Sequence, residues 1–462
     1  MVENVDKMNL LMLIPWMEMG GADRFNLSIL EKINKDAFSV TVVCTVRGEN
    51  HWRERFEKNA EAVFSLPETY KPEEYGDVIL DLIKTRNIHA VFLSNSYYGY
   101  YLLPLIKCTY PRVAVIDYVH MEEWYWRKGG YARLSGRSEC CVDRTLVCNQ
   151  RTGRVLTDIF SRSEQTVETL YIGVDQNRFD CSKIPYGEIR AQYHIKDDCK
   201  VILFPCRIHP QKRPFMMLEI AKDVIRQKEN VCFFVAGDGP QLQELKDQIR
   251  RQNLSKWFIC SGEISQMEKV YRDSDVTLIC SLKEGLSLTA YESCAMETPV
   301  ISADVGGQGE LIDDTVGRLI PLGQAETDID SRDYSREEIQ AYSRAILEIL
   351  QDQEQYAAMC RNCREKIISR FSDDVMIRRL EQILRDTVAQ VQLQPRQAPL
   401  PDSMTGLAKN YLETYLEFEE AVNPQNRGED VTLELKRIAN SRLGKLLIKL
   451  VLKLKLNKLF FL

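Results

Sequence analysis

The residue pattern with the clearest chemical meaning is a pair of glutamates, Glu284 and Glu292, on either side of seven residues. Residues 276–280 form an apolar run typical of a buried strand, and a helix-like pattern begins near Leu288. Glu284 is then expected in the loop after the strand, and Glu292 just past the first helical turn, so both can face one crevice. Free N–H groups near Leu288 and Thr289 would face the same space. Because a carboxylate accepts hydrogen bonds from two hydroxyls at once, the pair beside this anion site suggests a sugar phosphate, although Glu292 alone could be a solvated first-turn acid.

Two cations, Arg207 and Lys212, follow the apolar run at residues 201–204. In doubly wound sheets, ligands bind in the crevice at the carboxyl ends of the strands. Arginine binds a phosphate through two parallel hydrogen bonds and lysine as a point charge, so the two together suit a diphosphate. Most surface cations are simply solvated, but this placement favours a binding role.

A second anion site is indicated by Gly20 and Gly21, which stand between the first predicted strand and the first predicted helix. Glycine lets backbone N–H groups approach a ligand, and a helix start carries a partial positive charge. A tight turn that needs glycine for conformational reasons explains the same residues equally well. The pattern is not G-x-G-x-x-G, so a dinucleotide site is not indicated.

The glycine pair and the charged residues follow predicted strands in two separate parts of the chain, so two sheets are expected to position them. Short apolar runs alternate with helix-like segments over residues 10–179, and the alternation restarts at Val201. Continuous apolar strands separated by helices predict parallel sheets covered on both faces. We therefore predict an α/β fold with two tandem Rossmann-like doubly wound domains that face a cleft, plus a C-terminal helical extension. The predicted domain bounds are an N-terminal domain at 1–180, a C-terminal domain at 181–375, a closing helix at 376–393 that could pack back on the first domain, a linker at 394–404 and an extension at 405–462.

The extension is predicted to be basic and amphipathic. Eight cations and no acid occur from residue 436 onward, while the whole chain has a net charge of -6. Cations and leucines gather on opposite faces of a helix in this segment, which is typical of a helix in a membrane interface. Docking on the acidic body or in a dimer remains the alternative. The cationic face would comprise Arg442, Lys445, Lys449 and Lys453.

Composition narrows the function classes. The acidic charge balance argues against a nucleic-acid partner. The N-terminus lacks a signal-peptide pattern and no apolar run could span a bilayer, so we expect a cytoplasmic protein, peripheral on the inner face of the membrane. The 14 cysteines are scattered, and the one C-x-x-C, at 360–363, has no second ligand pair, so reduced thiols and no zinc site are expected. The Asp-Ile-Asp at 328–330 is interpreted as a solvated loop. No metal and no cofactor are predicted.

Taken together, these patterns resemble the retaining glycosyltransferases of the GT-B fold, in particular glycosyltransferase family 4. The resemblance covers most of residues 10–393. The motifs that carry it are Gly20-Gly21, Arg207 with Lys212, Ala-Gly-Asp-Gly-Pro at 236–240, the glutamates Glu284 and Glu292, the glycine-containing segment 299–307 with Glu310, and the segment 171–179. The sequence departs from the family pattern at Cys206, at Leu286-Ser287 and at Ile172.

The resemblance implies a role for each matching residue. Arg207 and Lys212 would hold the nucleotide diphosphate, and Glu292 the ribose hydroxyls. The remaining roles would fall to Glu284, which contacts the donor sugar, to the backbone around Ile264, which meets the base, and to His120, which faces the donor from the first domain.

The implied activity is transfer of a sugar from a nucleotide diphosphate sugar, a substrate rather than a cofactor, to a carbohydrate or lipid-linked acceptor in cell-surface polysaccharide synthesis. The acceptor would enter from the first domain, near Gly20-Gly21 and the loop with Trp124 and Trp126. Two alternatives stay open: a sugar-nucleotide epimerase of the same fold, and a non-catalytic protein that binds nucleotide sugars.

Overall fold

The computed structural model describes residues 7–123, 129–326, 328–395 and 405–422. Apolar runs rich in Val, Ile, Leu and Phe form strands that are mostly buried along their length, as expected for parallel sheets between two helical layers. The strands are β1 (Met8–Ile14), β2 (Phe38–Cys44), β3 (Ala62–Ser65), β4 (Ala90–Ser94), β5 (Ala114–Val119), β6 (Arg144–Val147), β7 (Val167–Thr169), β8 (Lys200–Pro205), β9 (Val231–Ala236), β10 (Phe258–Gly262), β11 (Val276–Ile279), β12 (Val300–Ala303) and β13 (Gly317–Ile320).

The amphipathic segments between the strands form the helices, together with short 3-10 turns and π-helical turns at Val155–Ile159 and Ile367–Phe371. The α-helices are α1 (Gly21–Lys32), α2 (Arg53–Asn59), α3 (Leu66–Thr69), α4 (Tyr75–Thr85), α5 (Tyr97–Thr109), α6 (Gly130–Arg137), α7 (Gln150–Arg154), α8 (Glu188–Gln192), α9 (Pro214–Gln227), α10 (Leu242–Arg251), α11 (Met267–Arg272), α12 (Leu288–Ala295), α13 (Gln308–Leu311), α14 (Arg336–Gln351), α15 (Gln353–Lys366), α16 (Asp373–Leu393) and α17 (Thr405–Val422).

The strands form two separate sheets. The first has the order β3-β2-β1-β4-β5-β6-β7 and the second the order β10-β9-β8-β11-β12-β13. Neighbouring strands are parallel in both sheets. The order reverses beside β1 in the first sheet and beside β8 in the second, so each sheet has its crevice where the next strand continues on the other side. The predicted pair of doubly wound domains is confirmed.

The helix that follows the second domain in the sequence packs on the first. One face of α16 is buried in the hydrophobic core of the first domain, where it lies against α1 and β5. The chain crosses back beside its first crossing, because Val174 and Ser372 form a parallel bridge. The residues of α16 in the first core are Met376, Ile377, Leu380, Ile383, Leu384, Val388 and Val391.

Two segments have contacts that the sequence did not indicate. The polar stretch 181–200, at the start of the predicted second domain, contains α8 and packs on that domain, where the Asp273 carboxylate accepts from the Gly187 and Ile189 N–H groups at 2.6 and 2.7 Å. The start of the extension, α17, is neither basic nor detached, because Leu407 is buried in the first domain.

The basic amphipathic helix predicted beyond residue 436, and the loop with Trp124 and Trp126, lie outside the described residues. Among the helices that the structure does describe, none combines the length and apolar character needed to cross a bilayer.

Candidate functional site

A cleft of about 800 Å³ lies between the two domains. Its walls come from the carboxyl ends of β1, β4 and β5 in the first domain and of β8 and β11 in the second. This is where ligands bind in doubly wound sheets, and the volume is typical of a small-molecule site. The residues predicted from sequence that line it are Gly20, Gly21, His120, Arg207, Lys212, Glu284, Leu288 and Thr289.

The second-domain wall carries the predicted charges. The Lys212 ammonium lies 2.5 Å from a Glu284 carboxylate oxygen, and the Glu284 residue is 8% exposed. Arg207 is exposed, and no carboxylate among the described residues forms an ion pair with it. The wall therefore offers an anionic ligand one cation that already has a partner and one that does not.

The turn that carries Lys212 is fixed by the next residue. Arg213 has a left-handed backbone with φ of 51° and a side chain that is 1% exposed. Its guanidinium pairs with Glu338 at 2.6 Å and donates to the Cys280 carbonyl oxygen at 2.5 Å. A buried ion pair of this kind ties the turn to α14 and to the end of β11, so Lys212 projects from a rigid support.

The loop that carries Arg207 is held by the glycine-rich segment at 236–240. Gly237 has a φ of +140°, and a Cβ placed there would lie 2.0 Å from the Cys206 carbonyl oxygen. The Ile208 N–H also donates to the Asp238 carbonyl oxygen at 2.8 Å. Glycine is therefore required for the close approach of the two loops, which sets the backbone on both sides of Arg207.

Glu284 rests on a second glycine loop. Gly306 has a φ of +55°, and a Cβ there would lie 1.7 Å from the Glu284 carbonyl oxygen. The Gly307 N–H donates to the Gly285 carbonyl oxygen at 2.6 Å. This contact explains the glycine-containing segment at 299–307 that the sequence singled out, because it fixes the loop from which the Glu284 side chain enters the cleft.

Helix starts face the cleft from both sides. α12 begins at Leu288, as the sequence predicts, and Leu288 and Thr289 line the cleft. The side chain of Ser287, the N-cap of α12, accepts no hydrogen bond from a backbone N–H of the helix and contacts the Thr289 hydroxyl instead, and Gly20 at the start of α1 has no side chain to cap that helix. Both ends therefore keep backbone N–H groups for a ligand, and their dipoles favour an anion.

His120 lies directly after β5 and lines the cleft from the first domain. Its Nε2 is 3.1 Å from the Ser94 hydroxyl, and its ring meets Phe25 edge to face at 5.3 Å. Burial lowers the pKa of His120 to about 3, so the ring is neutral at pH 7. A neutral imidazole can donate or accept a hydrogen bond, but it adds no charge to the site.

Two predicted residues lie apart from the cleft. Glu292 lies one helical turn deeper than Leu288 and lines an adjacent cavity of about 30 Å³ together with Arg24. The Tyr271 hydroxyl donates to Glu292 at 3.1 Å, and burial raises the pKa of Glu292 to about 7. Leu288 lines both cavities, so they adjoin. Ile264 packs against the core of the second domain and is not among the residues that line the cleft.

Sequence reasoning missed the polar residues of the first-domain wall. Asp23, Asn26 and Asn95 line the cleft across from the cations. Asp23 is 6% exposed, and burial, with the nearby Glu18 carboxylate, raises its pKa to about 7. The sequence could have indicated Asp23, because this residue stands two positions after Gly21, in the first turn of the predicted helix α1.

Replacement of Asp23 by asparagine is expected to stabilise the protein at pH 8 but not near pH 4. The raised pKa means that the folded state binds the proton more tightly, so the stability from this group is full below its ordinary value of 3.8 and is lost as the pH rises through 7. The advantage of the variant should grow by up to about 1.4 kcal/mol per pH unit in that window. Urea unfolding from pH 4 to 8 measures it, and a pH-independent difference would contradict the assignment.

A buried ion pair joins the domains beside the cleft. The Lys283 ammonium lies 2.6 Å from a Glu122 carboxylate oxygen, and both side chains are 2% exposed. The Thr152 hydroxyl donates to the other Glu122 oxygen at 2.9 Å, and the Asn149 amide donates to the Gly285 carbonyl oxygen at 2.8 Å. Sequence reasoning missed this pair, although Glu122 follows His120 closely and Lys283 precedes Glu284.

The described residues contain no group of three or more His, Cys, Asp or Glu side chains placed to hold a metal ion. Residues 328–330 lie in the turn-rich segment before α14, where the Asp328 carbonyl oxygen accepts a hydrogen bond from Gln324.

Comparison with known proteins gives these features a class. Residues 186–366 match the family model of glycosyl transferases group 1. The alpha-monoglucosyldiacylglycerol synthase of Streptococcus pneumoniae is 30% identical over 37% of this chain and 40% of its own length. A putative glycosyltransferase of Bacillus subtilis, YtcC, is 27% identical over 71% of this chain and 79% of its own length. The match spans less than half the length of the first curated relatives, at 40% and 45%.

Solved structures agree on the fold. A glycosyltransferase from Rickettsia africae superimposes with a TM-score of 0.67 at 17% identity, over 83% of this chain and 99% of its own. The Anabaena protein Alr3699/HepE in complex with UDP-glucose superimposes with a TM-score of 0.65 at 16% identity, over 82% of this chain and 100% of its own. The chain therefore has the GT-B fold. Within its second domain, residues 186–366 are similar to the glycosyl transferases of group 1.

Proposed function

We propose that the protein is a retaining glycosyltransferase of family 4, which moves a sugar from a nucleotide diphosphate sugar to a carbohydrate or lipid-linked acceptor. The observation that carries the proposal is the convergence of Arg207, Lys212 and Glu284 on one wall of a cleft between two doubly wound domains. The first-domain wall, with Gly20 and Gly21, faces them and leaves room for an acceptor.

The chemistry follows from the charges. The bond between the anomeric carbon and the diphosphate oxygen breaks, so negative charge develops on the leaving diphosphate and positive charge on the sugar ring. Arg207, Lys212 and the N–H groups at the start of α12 stabilise the first charge in a site that is already organised for it. The acceptor hydroxyl oxygen takes the place of the diphosphate on the same face of the carbon, and the hydroxyl proton passes to the departing diphosphate. This charge balance needs no metal ion or cofactor.

The other site residues act on the donor. Glu284 accepts hydrogen bonds from hydroxyls of the transferred sugar, and its pairing with Lys212 holds the carboxylate in position. In our proposal Glu292, from the adjoining cavity, binds the ribose, the backbone near Ile264 meets the base, and His120 faces the sugar from the first domain. UDP is the first nucleotide to test, because Alr3699/HepE was solved with UDP-glucose.

A thermal-shift panel tests donor binding, with UDP, GDP and ADP and their sugars as ligands. We expect one nucleotide series to raise the Tm of the full chain. The matching donor is then incubated with glycolipid and saccharide acceptors, and the anomeric configuration of the product is read by NMR. Conversion of the donor sugar without any acceptor would favour an epimerase. Binding with no turnover of any donor would favour a non-catalytic nucleotide-sugar-binding protein.

The cellular role that we propose is cell-surface polysaccharide synthesis at the cytoplasmic face of the membrane. Its support is the basic amphipathic pattern after residue 436 and the lipid-linked substrates in the names of some relatives, such as the diphosphoundecaprenol galactosyltransferase of Escherichia coli, which is 27% identical over 53% of this chain. Flotation with anionic liposomes tests it. The full chain should bind more strongly than a chain that ends at Val422, and equal binding would refute attachment through the tail.

A further inference from the structure

The helix α17 is docked on the first domain by a dense set of contacts. Leu407 is 3% exposed and belongs to the core cluster beneath α5 and α6. The Tyr411 ring stacks on Tyr101 at 4.9 Å and its hydroxyl donates to the Tyr101 carbonyl oxygen at 2.6 Å. The Tyr101 hydroxyl donates in turn to Thr414 at 2.5 Å, and the Asn410 amide donates to the Leu134 carbonyl oxygen. These contacts join α17 to α5 and α6 of the first domain.

The charges of this interface centre on Glu413. One of its carboxylate oxygens accepts from Arg133 at 3.0 Å and also from Arg137. The Arg133 side chain is 1% exposed, so its charge is buried in the fold. A buried cation is costly without a counter-charge, and α17 brings Glu413 to this one from 280 residues further along the chain. The position of α6 is therefore tied to the docking of α17.

The N-terminal end of α6 reaches the cleft. Tyr131, the second residue of α6, lines the cleft beside His120. Its ring lies 4.9 Å from Tyr97, which lies 6.3 Å from Tyr101, the residue that α17 covers. A continuous set of aromatic contacts thus leads from α17 to the first-domain wall.

The entry to α6 belongs to the same wall. Glu123, another residue of the cleft, forms an antiparallel bridge with Gly129, one residue before α6 begins. A shift of α6 would therefore move Tyr131 and Glu123 together.

We propose that Glu413 is a positioning residue for the acceptor side of the cleft: by pairing with Arg133 and Arg137, it holds α6 and Tyr131 in place. The C-terminal segment is then coupled more strongly to acceptor binding than to donor binding, because Arg207 and Lys212, which we propose hold the donor diphosphate, lie on the other domain. The acceptor role of this wall rests on the proposed function, whereas the coupling of α17 to the wall does not.

The test compares the full chain with Glu413→Ala. Hydrogen exchange should become about 10-fold faster in α6, because loss of the ion pairs with Arg133 and Arg137 makes local opening of this helix easier. Peptides covering residues 205–213 and 284–292 should exchange as in the parent. In steady-state assays with the donor and acceptor found above, KM for the acceptor should rise about 5-fold while KM for the donor stays within about 2-fold.

Three further variants separate the explanations. Glu413→Gln keeps a hydrogen-bond acceptor and should show a smaller effect than alanine. Tyr411→Phe removes one hydrogen bond and serves if the alanine variant does not fold. Glu354→Ala removes an exposed carboxylate from α15 and should match the parent.

Parent-like exchange in α6 would overturn the proposal, as would equal rises in both KM values. If the parent turns over no nucleotide sugar, the proposed function fails, and the exchange rates still decide whether α17 holds α6.

Discussion

Replacement of Arg207 by alanine is expected to lower kcat about 100- to 1,000-fold, the usual cost of removing one fixed donor from the place where negative charge develops. Because Arg207 is exposed and pairs with no described carboxylate, its side chain is free to bind the leaving diphosphate and contributes little to folding. We therefore expect a Tm within about 1 °C of the parent, since surface substitutions usually change stability by less than about 0.5 kcal/mol.

Initial-rate assays with the donor identified in the panel, together with a melting curve, measure both effects. Arg251→Ala is the matched control, because Arg251 is an exposed arginine of the same domain at the end of α10, away from the cleft. It should keep the parent rate. Turnover near the parent level in Arg207→Ala would show that the diphosphate is bound elsewhere.

Replacement of Lys283 by methionine is expected to lower the free energy of unfolding by about 3–5 kcal/mol, because it leaves the Glu122 carboxylate buried without its closest cation. Arg151, whose guanidinium lies 3.9 Å from Glu122, offsets part of this loss. Since the pair joins the domains, the variant should also have a more open cleft. Urea unfolding measures the stability, and small-angle scattering measures the radius of gyration.

Two control variants distinguish the cost of leaving a buried charge unpaired from the cost of losing an ion pair as such. The double variant Glu122→Gln with Lys283→Met removes both charges and should regain part of the lost stability. Lys256→Met breaks an exposed pair with Glu229, whose side chain is 75% exposed, and should cost less than about 1 kcal/mol. If Lys283→Met were no more harmful than Lys256→Met, the ion pair between the domains would not form in solution.

The features that could be predicted from the sequence are those set by local pattern. Apolar runs such as residues 201–204 and 276–280 indicated buried parallel strands, and the start of α12 at Leu288 followed from the helix pattern after Glu284. Because ligands bind at the carboxyl ends of such strands, Arg207, Lys212 and Glu284 could be assigned to one cleft from the sequence alone.

The features that could not be predicted depend on how distant segments pack. Glu292 lies just past the first turn of α12, as the sequence argument assumed, but it lines the adjoining cavity and not the cleft. Lys283 and Glu122 are 161 residues apart, and their pairing requires the closed arrangement of the two domains. The docking of α17 was missed for the same reason, because the role of Glu413 depends on its contact with the buried Arg133, which is distant in the sequence.

The parallel bridge between Val174 and Ser372 constrains how the two domains can separate. Both passages of the chain from one half to the other run side by side there, held by hydrogen bonds of 3.0 Å in each direction. They act as a hinge about which the two domains can rotate, so that the cleft opens on the side where Glu122 and Lys283 pair. A spent nucleotide could then leave without either half losing its own structure, and successive turnovers would begin from the same alignment.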